Sequence, residues 1–492
     1  MNSITVTSPS DGRILGTVPA HTATDTSRAF ERARRAQKQW AHTPVKERRE
    51  IMLSLHDLVL HRQEQILDTI QDESGKNRAS AFDEVMDVAV TARHYAYATA
   101  ALLHPDRVKG ALPLLTSVEV QHSPKGVVGI IAPWNYPLVM AVSDAIPAIL
   151  AGNTVVLKPD DKTPLSALLA AELLAEAGLP QDVFQVVTGT AEEVGQQIVA
   201  ECDYLMFTGS TKTGRLLASQ AGERLIDFSA ELGGKNPLII AADADLNKVV
   251  PGAITACFSN SGQLCISIER IYVHRNLAAE FSARFQAATK VLRVGAGREW
   301  TVEMGSLISE EQLARVQSFV DDAVARGATI LSGGHALPEL GPCFFAPTIL
   351  SDVPEDAELF REEAFGPVAA IEIVDSHEEA IRRANDSDYG LNASVWAKPA
   401  TGRKIAAQLE FGTVNINEGF AAAWGSLDAP MGGWKASGVG RRHADEGLLK
   451  YTESRTVALQ RGLSIAGPSK LSRERYARTL STALRLGKRV LR

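Results

Sequence analysis

The chain has 492 residues, of which 45% are hydrophobic and 22% are charged, and its formal net charge at pH 7 is −7. This length exceeds what one hydrophobic core supports, so we expect two or three domains in a globular α/β protein. The negative charge argues against a general affinity for nucleic acid, because binding phosphates requires clustered lysine and arginine.

The four cysteines show neither a CxxC pair nor the spacing of a disulfide framework. The sequence therefore predicts no metal site and no disulfide scaffold, and a reducing cytoplasm fits best. Residues 1–20 lack the basic start and apolar run of a signal peptide. Apolar runs such as 127–132 are far shorter than the ~20 residues of a membrane-spanning helix, and we interpret them as buried strands.

The first predicted element is a helical layer over residues 25–101. This segment is rich in Ala, Glu, Arg and Leu at helical spacing, and Pro44 is its one proline. Long segments with this composition favour helices.

Strands and helices then alternate. Predicted strands are 127–132, 154–158, 184–187 and 204–208, and the helices that follow them are 141–150, 164–178, 192–201 and 211–221. Short links between such units predict a parallel sheet, which is typical of a nucleotide-binding domain.

A second α/β pattern follows Glu231 and predicts a separate catalytic domain. Its predicted strands are 237–241, 270–273, 329–331, 368–373, 393–396 and 413–416.

The C-terminal segment 472–492 carries seven Lys or Arg against one acid, Glu474. Tyr476, Leu480, Leu484 and either Val490 or Leu491 recur at helical spacing. The pattern is compatible with a basic amphipathic helix on anionic lipid. Because solvated charged faces are common, we favour a terminal helix that docks on the body or on a partner subunit, or that frays.

Cys265 is the candidate nucleophile. It follows Gly262 in a polar loop, and a glycine-flanked acid, Glu231, lies upstream. A thiolate that attacks an electrophilic carbon and a carboxylate that later activates water indicate an aldehyde substrate. The alternative is a buried structural cysteine, the interpretation given to Cys202, Cys257 and Cys343.

Two segments indicate a nucleotide. Residues 207–214 pass from an apolar strand into a helix whose free N–H groups can meet phosphate, with Ser210 as a further donor. The glycine spacing matches neither GxGxxG nor a P-loop, so a simple tight turn stays an alternative. Lys158 and Asp161 end another strand and are candidates for binding ribose hydroxyls, although a solvated loop would show the same charges.

Taken together, these pieces resemble the aldehyde dehydrogenase superfamily along nearly the whole chain. The resemblance rests on a PWN segment (131–137), an FTGS turn (207–214), an ELGGK segment (231–235), a GQxC loop (262–265), an EExFGP segment (362–367) and a GTVxxN segment (412–417).

The resemblance implies that Cys265 attacks the aldehyde. The side-chain amide of Asn135 and the backbone N–H of Cys265 would hold the oxyanion. Hydride would pass to the nicotinamide, and Glu231 would activate water to hydrolyse the thioester. The implied cofactor residues are Pro133, Trp134, Lys158, Asp161, Gly209, Ser210, Gly214, Leu232, Glu363 and Phe365.

The resemblance also implies a Rossmann-like parallel-sheet cofactor domain (1–111 and 126–231) and an α/β catalytic domain (232–445). A small β-hairpin oligomerisation domain would comprise 112–125 and 446–462, followed by a basic tail (463–492). In the implied homodimer or homotetramer, segments near 112–123 and 451–460 would meet across subunits.

Asp144 and Arg442 depart from the family pattern, in which a lysine and a glutamate are usual at these positions. Because both signs are reversed, we hypothesise that the two residues form one ion pair close to the catalytic water. The alternative is two unrelated surface charges.

The cofactor is expected to be NADP or NAD. Asp160 and Asp161 favour NAD, because paired acids repel a 2′-phosphate. The branch that the chain resembles most, the bacterial succinate-semialdehyde dehydrogenases, is commonly NADP-linked.

Succinate semialdehyde is the expected substrate at the level of that branch. The apolar segment 418–427 suits a longer aliphatic or aromatic aldehyde as well. A CoA-acylating dehydrogenase and a non-catalytic dinucleotide-binding protein are the remaining alternatives. Glu231 argues against the first, and the intact set of Asn135, Glu231, Cys265 and Glu363 argues against the second.

Overall fold

The structure is a computed structural model, and it describes residues 3–112, 115–462, 464–468 and 471–488. Within these ranges none of the helices combines the length and apolarity that crossing a membrane requires.

The strands of the described residues are, in chain order, β1 (Ser3–Thr7), β2 (Ile14–Pro19), β3 (Asp106–Lys109), β4 (Thr116–Pro124), β5 (Val127–Ile131), β6 (Thr154–Lys158), β7 (Phe184–Val186), β8 (Tyr204–Thr208), β9 (Asp227–Glu231), β10 (Asn236–Ile240), β11 (Ile268–His274), β12 (Thr329–Ser332), β13 (Thr348–Ser351), β14 (Val368–Val374), β15 (Tyr389–Gly390), β16 (Asn392–Trp396), β17 (Thr413–Ile416), β18 (Trp434–Lys435), β19 (Gly438–Val439) and β20 (Thr452–Gln460).

The helices of the same ranges are α1 (Ala23–Trp40), α2 (Val45–His61), α3 (Gln63–Ser74), α4 (Arg78–Leu102), α5 (Pro137–Val142), α6 (Ala145–Leu150), α7 (Pro164–Glu176), α8 (Gln196–Glu201), α9 (Thr211–Arg224), α10 (Leu246–Phe258), α11 (Arg275–Lys290), α12 (Glu310–Ala325), α13 (Glu358–Arg361), α14 (His377–Asn385), α15 (Pro399–Ala406), α16 (Ala421–Trp424), α17 (Ala444–Leu449) and α18 (Arg473–Gly487). A π-helical turn (Ala191–Gly195) precedes α8, and a 3₁₀ turn (Ser259–Gly262) follows α10.

A six-stranded sheet has the order β19-β9-β8-β5-β6-β7. Its five strands from β9 to β7 are parallel, which confirms the predicted parallel sheet. The predicted helix over 141–150 is wrong in its bounds, because the chain forms α5 and α6 with a break at Ser143 and Asp144. Strand β9, which was not predicted, ends on Glu231.

A seven-stranded sheet has the order β12-β13-β14-β11-β10-β16-β17 and is parallel except at β12. All six predicted strands are present, and β13 was missed. The central strands are buried along most of their length, as expected for a parallel sheet covered by helices. The α/β class is therefore confirmed.

Helices α1 to α4 form the predicted helical layer, with α2 packed along α4. Their buried side chains, including Trp40, Leu55 and Val85, join the core of the six-stranded sheet. Ahead of this layer, β1 and β2 form a hairpin that was not predicted.

The segments expected at a subunit boundary pair with each other within one chain. Strands β4 and β20 form an antiparallel ladder from Thr452 opposite Pro124 to Gln460 opposite Thr116, and β3 completes this sheet. Pro113 and Leu114 of the first segment lie outside the described residues. The contact with a second subunit and the domain boundaries stay predictions.

The described part of the basic C-terminal segment forms helix α18, and none of the residues of this helix is buried. Docking on the body of the same chain, part of the favoured interpretation, is therefore not found. Val490 and Leu491 lie outside the described residues.

Candidate active site

A cleft of about 540 Å³ opens at the carboxyl ends of β5, β8 and β9. Parallel sheets bind ligands at this edge. The structure brings most of the predicted site residues into its lining: Pro133, Trp134, Asn135, Gly209, Ser210, Glu231, Leu232, Cys265, Glu363 and Phe365.

The loop that presents Cys265 has an unusual backbone. Asn260, Ser261 and Gly262 are all in the left-handed region, with φ of 50°, 55° and 70°. A Cβ on Gly262 would overlap the carbonyl oxygen of Gly366, so only glycine fits this close approach. The turn leaves Cys265 partly exposed, whereas the other three cysteines are buried.

The surroundings of Cys265 in this cleft disfavour its thiolate form. Burial and the nearby carboxylates of Glu363 and Glu231 raise the pKa of Cys265 to about 12. A thiolate nucleophile there needs a proton acceptor or a nearby positive charge.

Asn135 is held between the two halves of the cleft. Its Nδ2 donates to the carbonyl oxygen of Gln263 at 3.1 Å, which ties it to the cysteine loop. The backbone carbonyl oxygen of Asn135 accepts from Lys76 Nζ at 2.7 Å and from Asn260 Nδ2 at 3.1 Å. The side-chain amide therefore lies beside the loop of the nucleophile.

A buried ion pair supports the turn that carries Asn135. Lys76 Nζ lies 2.7 Å from Glu84 Oε1, and both side chains are fully buried. Glu84 Oε2 also accepts from the backbone N–H groups of Leu138 and Val139 at the start of α5. The sequence prediction missed both residues, since no local pattern marks a pair that acts on a distant turn.

Glu231 ends β9 with a buried carboxyl group facing the cleft. Burial raises the pKa of Glu231 to about 7, against the opposing effect of Arg442 and Lys450. Among the described residues none forms a hydrogen bond with its carboxylate. A base with a pKa near neutrality and no fixed partner is suited to taking a proton from the cysteine or from water.

Asp144 and Arg442 form the hypothesised ion pair. Arg442 Nη2 donates to Asp144 Oδ2 and, at 3.1 Å, to Thr208 Oγ1. The side chains of Arg442 and Asp144 are only 11% and 4% exposed. The alternative of two unrelated surface charges is therefore excluded. Arg442 also lines the cleft with Glu231.

Two residues that the sequence prediction did not assign to the site complete this cluster. Lys450 Nζ lies 3.4 Å from Asp144 Oδ1, and the Tyr451 hydroxyl donates to the same oxygen at 3.3 Å. Burial alone would raise the pKa of Asp144, but Arg442 and Lys450 hold it below its ordinary value. Two cations thus surround one carboxylate beside Glu231.

The start of α9 fits a dinucleotide phosphate. Ser210 caps the helix by accepting from the Thr213 N–H at 3.3 Å, and Gly209 and Ser210 line the cleft. A Cβ on Gly214 would lie 2.6 Å from Leu232 Cδ2. Gly214 itself does not line the cleft, so the structure supports a packing role for it.

Glu363 and Phe365 lie on the far wall. Glu363 Oε1 accepts from the Gly234 N–H at 2.8 Å, and burial followed by the nearby Glu269 raises its pKa to about 8. The Phe365 ring meets the Trp134 ring edge-to-face at 5.4 Å between centroids. Two predicted motifs, PWN and EExFGP, are therefore in contact across the cleft.

A second buried ion pair, which the sequence prediction also missed, anchors the wall formed by Glu363 and Phe365. Lys235 Nζ lies 2.5 Å from Glu269 Oε2. Glu269 in turn accepts from the backbone N–H groups of Ala364 and Phe365 at 3.0 Å. The pair ties the loop of Glu363 to the strand that follows Cys265.

Lys158 and Asp161 form an ion pair of their own at 3.2 Å. Neither residue lines the cleft, although Lys162 does. Their contact with the adenosine ribose stays a prediction.

A model of the aldehyde dehydrogenase family matches residues 1–457. The chain belongs to this family. The match ends before α18, so that helix lies outside the family region. The family assignment and its relatives make the chain an NAD(P)-dependent aldehyde dehydrogenase acting on a small-molecule aldehyde.

Relatives cover nearly the whole chain. A protein of Mycolicibacterium smegmatis that carries the name of a succinate-semialdehyde dehydrogenase (NADP(+)) is 54% identical over 475 residues, 96% of this chain and 92% of that protein. The crystal structure of an E. coli NADP-dependent enzyme has a TM-score of 0.90 at 37% identity and covers 93% of this chain and 95% of its own. An aldehyde dehydrogenase from Bacillus cereus in complex with NAD+ has a TM-score of 0.89 at 36% identity and covers 93% of both chains.

Proposed function

We propose that this aldehyde dehydrogenase oxidises succinate semialdehyde to succinate, with Cys265 as nucleophile, Glu231 as general base and Asn135 as oxyanion donor. The observation that carries the chemistry is the meeting of these three side chains in one cleft. The relative named for succinate semialdehyde supports the substrate.

In the first step the Cys265 thiol must lose its proton as it attacks the aldehyde carbon. Glu231, with a pKa of about 7, is the acceptor available in the same cleft. Asn135 uses one amide N–H on Gln263 and keeps the other for the oxyanion that develops. A bound nicotinamide would supply the hydride acceptor. Loss of a hydride from the thiohemiacetal on Cys265 leaves a thioester.

Before the second step Glu231 releases the cysteine proton to solvent. It then draws a proton from the water that attacks the thioester, and the Cys265 thiolate leaves. The Arg442 and Lys450 charges favour the ionised form of this carboxylate, while burial opposes it. A base balanced near neutrality works at physiological pH, and general-base catalysis contributes roughly 10²–10⁴ in rate.

The inner wall of the cleft is apolar, with Leu264, Ile266, Phe420 and Trp424 among its residues. The cations in the described cleft lining are Lys162, Arg315 and Arg442. An arginine is the natural partner of a distal carboxylate, because its planar fork offers two parallel donors.

A panel of aldehydes tests the substrate. We expect kcat/KM for succinate semialdehyde to exceed that for butanal, its uncharged counterpart, by at least about tenfold. Hexanal and benzaldehyde report the competing preference for longer aliphatic or aromatic aldehydes. A higher kcat/KM for either would contradict the proposed substrate while leaving the enzyme class intact.

We further propose a cytoplasmic homo-oligomer. The free cysteines fit a reducing compartment. In the described sheet β20-β4-β3, strand β20 is an edge strand with Val457 and Leu459 exposed, and such edges pair readily with a second chain. Light scattering on the wild type and on Val457→Glu tests this, and a monomeric wild type would contradict it.

A further inference from the structure

Helix α18 lies beyond the family region and has no place in the core. None of its 15 residues is buried. Ser472 caps its first turn, and the Tyr476 hydroxyl donates to the carbonyl oxygen of Ile465 at 2.8 Å. These local contacts hold the start of the helix, while the rest is open to solvent.

The two sides of α18 differ in chemistry. Tyr476, Leu480 and Leu484 are each four residues apart, so they share one face. Leu480 is 36% exposed and Leu484 is 59% exposed. The other side carries Arg475, Arg478 and Arg485, together with the exposed Leu486, while Arg473 lies at the N-terminal end of the leucine face.

We propose that α18 binds the surface of a membrane that contains anionic phospholipid. The leucine face would enter the boundary between headgroups and acyl chains, and the arginines would contact phosphate groups. An amphipathic helix with basic residues on its polar face has the two attractions that such binding combines. From 471 to 488 the chain has five Lys or Arg and one acid, Glu474, so the charge complements an anionic surface.

A second copy of this chain suits the helix less well. Fifteen residues make a helix about 22 Å long, and its apolar stripe has only three large side chains. Stable protein interfaces bury ~800 Å² on each partner, which one narrow stripe does not supply. Lipid binding has no such requirement, because charge and a shallow apolar face act together.

Flotation with lipid vesicles tests the proposal on the full-length enzyme. We expect it to float with vesicles of equal parts phosphatidylcholine and phosphatidylglycerol at low salt, and not with phosphatidylcholine alone. High salt should release it, since the Debye length falls to about 3 Å at 1 M. Each arginine near the surface changes binding about fivefold, so Arg475, Arg478 and Arg485 replaced together by Gln should weaken it roughly a hundredfold.

Two double variants with the same change in net charge distinguish the contribution of the leucine face from that of electrostatic attraction alone. Leu480→Glu with Leu484→Glu places two acids on the apolar face, whereas Ser481→Glu with Thr482→Glu places them on the polar side of the same helix. We expect the first pair to abolish flotation and the second to weaken it only about 25-fold, at fivefold per charge. All variants should keep wild-type aldehyde oxidation, because no described residue of α18 lines the cleft.

Three results would overturn the proposal. One is a wild type that stays in solution with phosphatidylglycerol vesicles. Another is an equal effect of the two acid pairs, which would reduce the binding to net charge. A third is tight binding to duplex DNA that is indifferent to the leucines and stronger than vesicle binding.

Discussion

Arg442 and Asp144 form a buried ion pair on the wall of the cleft that holds Glu231. The two signs are the reverse of the lysine and glutamate that the family resemblance implies at these positions, while the attraction is kept. Lys450 also lies against Asp144, so two cations face its carboxylate, and both favour the ionised form of Glu231 against the effect of burial.

A charge exchange tests this pair. Arg442→Glu places like charges beside Asp144 in a buried site, so we expect a loss of about 3–5 kcal/mol in the free energy of unfolding. Adding Asp144→Lys restores attraction and should recover a substantial part of that loss. Chemical denaturation measures both, and a double variant no more stable than Arg442→Glu would show that the two residues are uncoupled.

The pH dependence of activity should report on Glu231. With a pKa of about 7, the catalytic base loses its proton through the neutral range, so kcat should fall below about pH 7. Arg442→Met removes the largest charge that favours the ionised form and should move this acid limb to higher pH. Profiles of kcat against pH for the two enzymes measure the shift, and coincident profiles would contradict it.

The free energy of unfolding should fall as pH rises through the neutral range, whereas kcat should rise. Folding raises the pKa of Glu231 from the ordinary 4.5 to about 7, so the native state favours the protonated form. The stability that this contributes is present below pH 4.5 and is lost as pH rises through about 7. Glu231→Gln should therefore be more stable than wild type at about pH 8, by up to about 3 kcal/mol, and equal to it near pH 4.

The cysteine loop depends on Gly262. Alanine there must adopt a φ of 70° and would overlap the Gly366 carbonyl, so Gly262→Ala should lower both stability and kcat, the former by roughly 1–3 kcal/mol. Gly222→Ala is the control, since Gly222 lies within α9 and a Cβ there meets nothing within 4 Å. That variant should be neutral or slightly stabilised in thermal unfolding. Normal activity in Gly262→Ala would refute the close approach.

The Lys235–Glu269 pair should govern cofactor affinity. Lys235→Met leaves Glu269 buried and unpaired, and Glu269 holds the loop of Glu363 and Phe365. We expect a loss of about 3–5 kcal/mol in stability together with a higher KM for the cofactor. Arg284→Met, which breaks an exposed helical pair with Glu280, should cost at most about 0.5 kcal/mol and leave KM unchanged.

The sequence could predict the parts of this molecule that have a local pattern. Buried parallel strands are continuous apolar runs, so β5, β6 and β8 were located within a residue of their observed ends. The catalytic and cofactor motifs were recognisable because each needs particular residue types at close spacing.

Long-range pairs were not predictable in the same way. Lys76 with Glu84, Lys235 with Glu269, and Lys450 with Asp144 position the site, yet a single buried charge in the sequence does not indicate its partner. The break between α5 and α6 was missed because its only sign in the sequence is two polar residues, Ser143 and Asp144, within an otherwise apolar helical stretch. Asp144 was singled out only because its sign departs from the pattern that the family resemblance implies.

A pre-steady-state experiment on Glu231→Gln tests the central claim most directly. If Cys265 forms a thioester that Glu231 hydrolyses, this variant should release about one equivalent of reduced cofactor per site, more slowly than wild type because Glu231 also accepts the thiol proton, and its steady turnover should then be roughly 10²–10⁴ times slower than that of wild type. Mass spectrometry should find the acyl group on Cys265. Cys265→Ala should show neither burst nor turnover, while Cys343→Ala keeps both. Sustained turnover by Cys265→Ala, or a Glu231→Gln enzyme with no acyl adduct, would contradict the account.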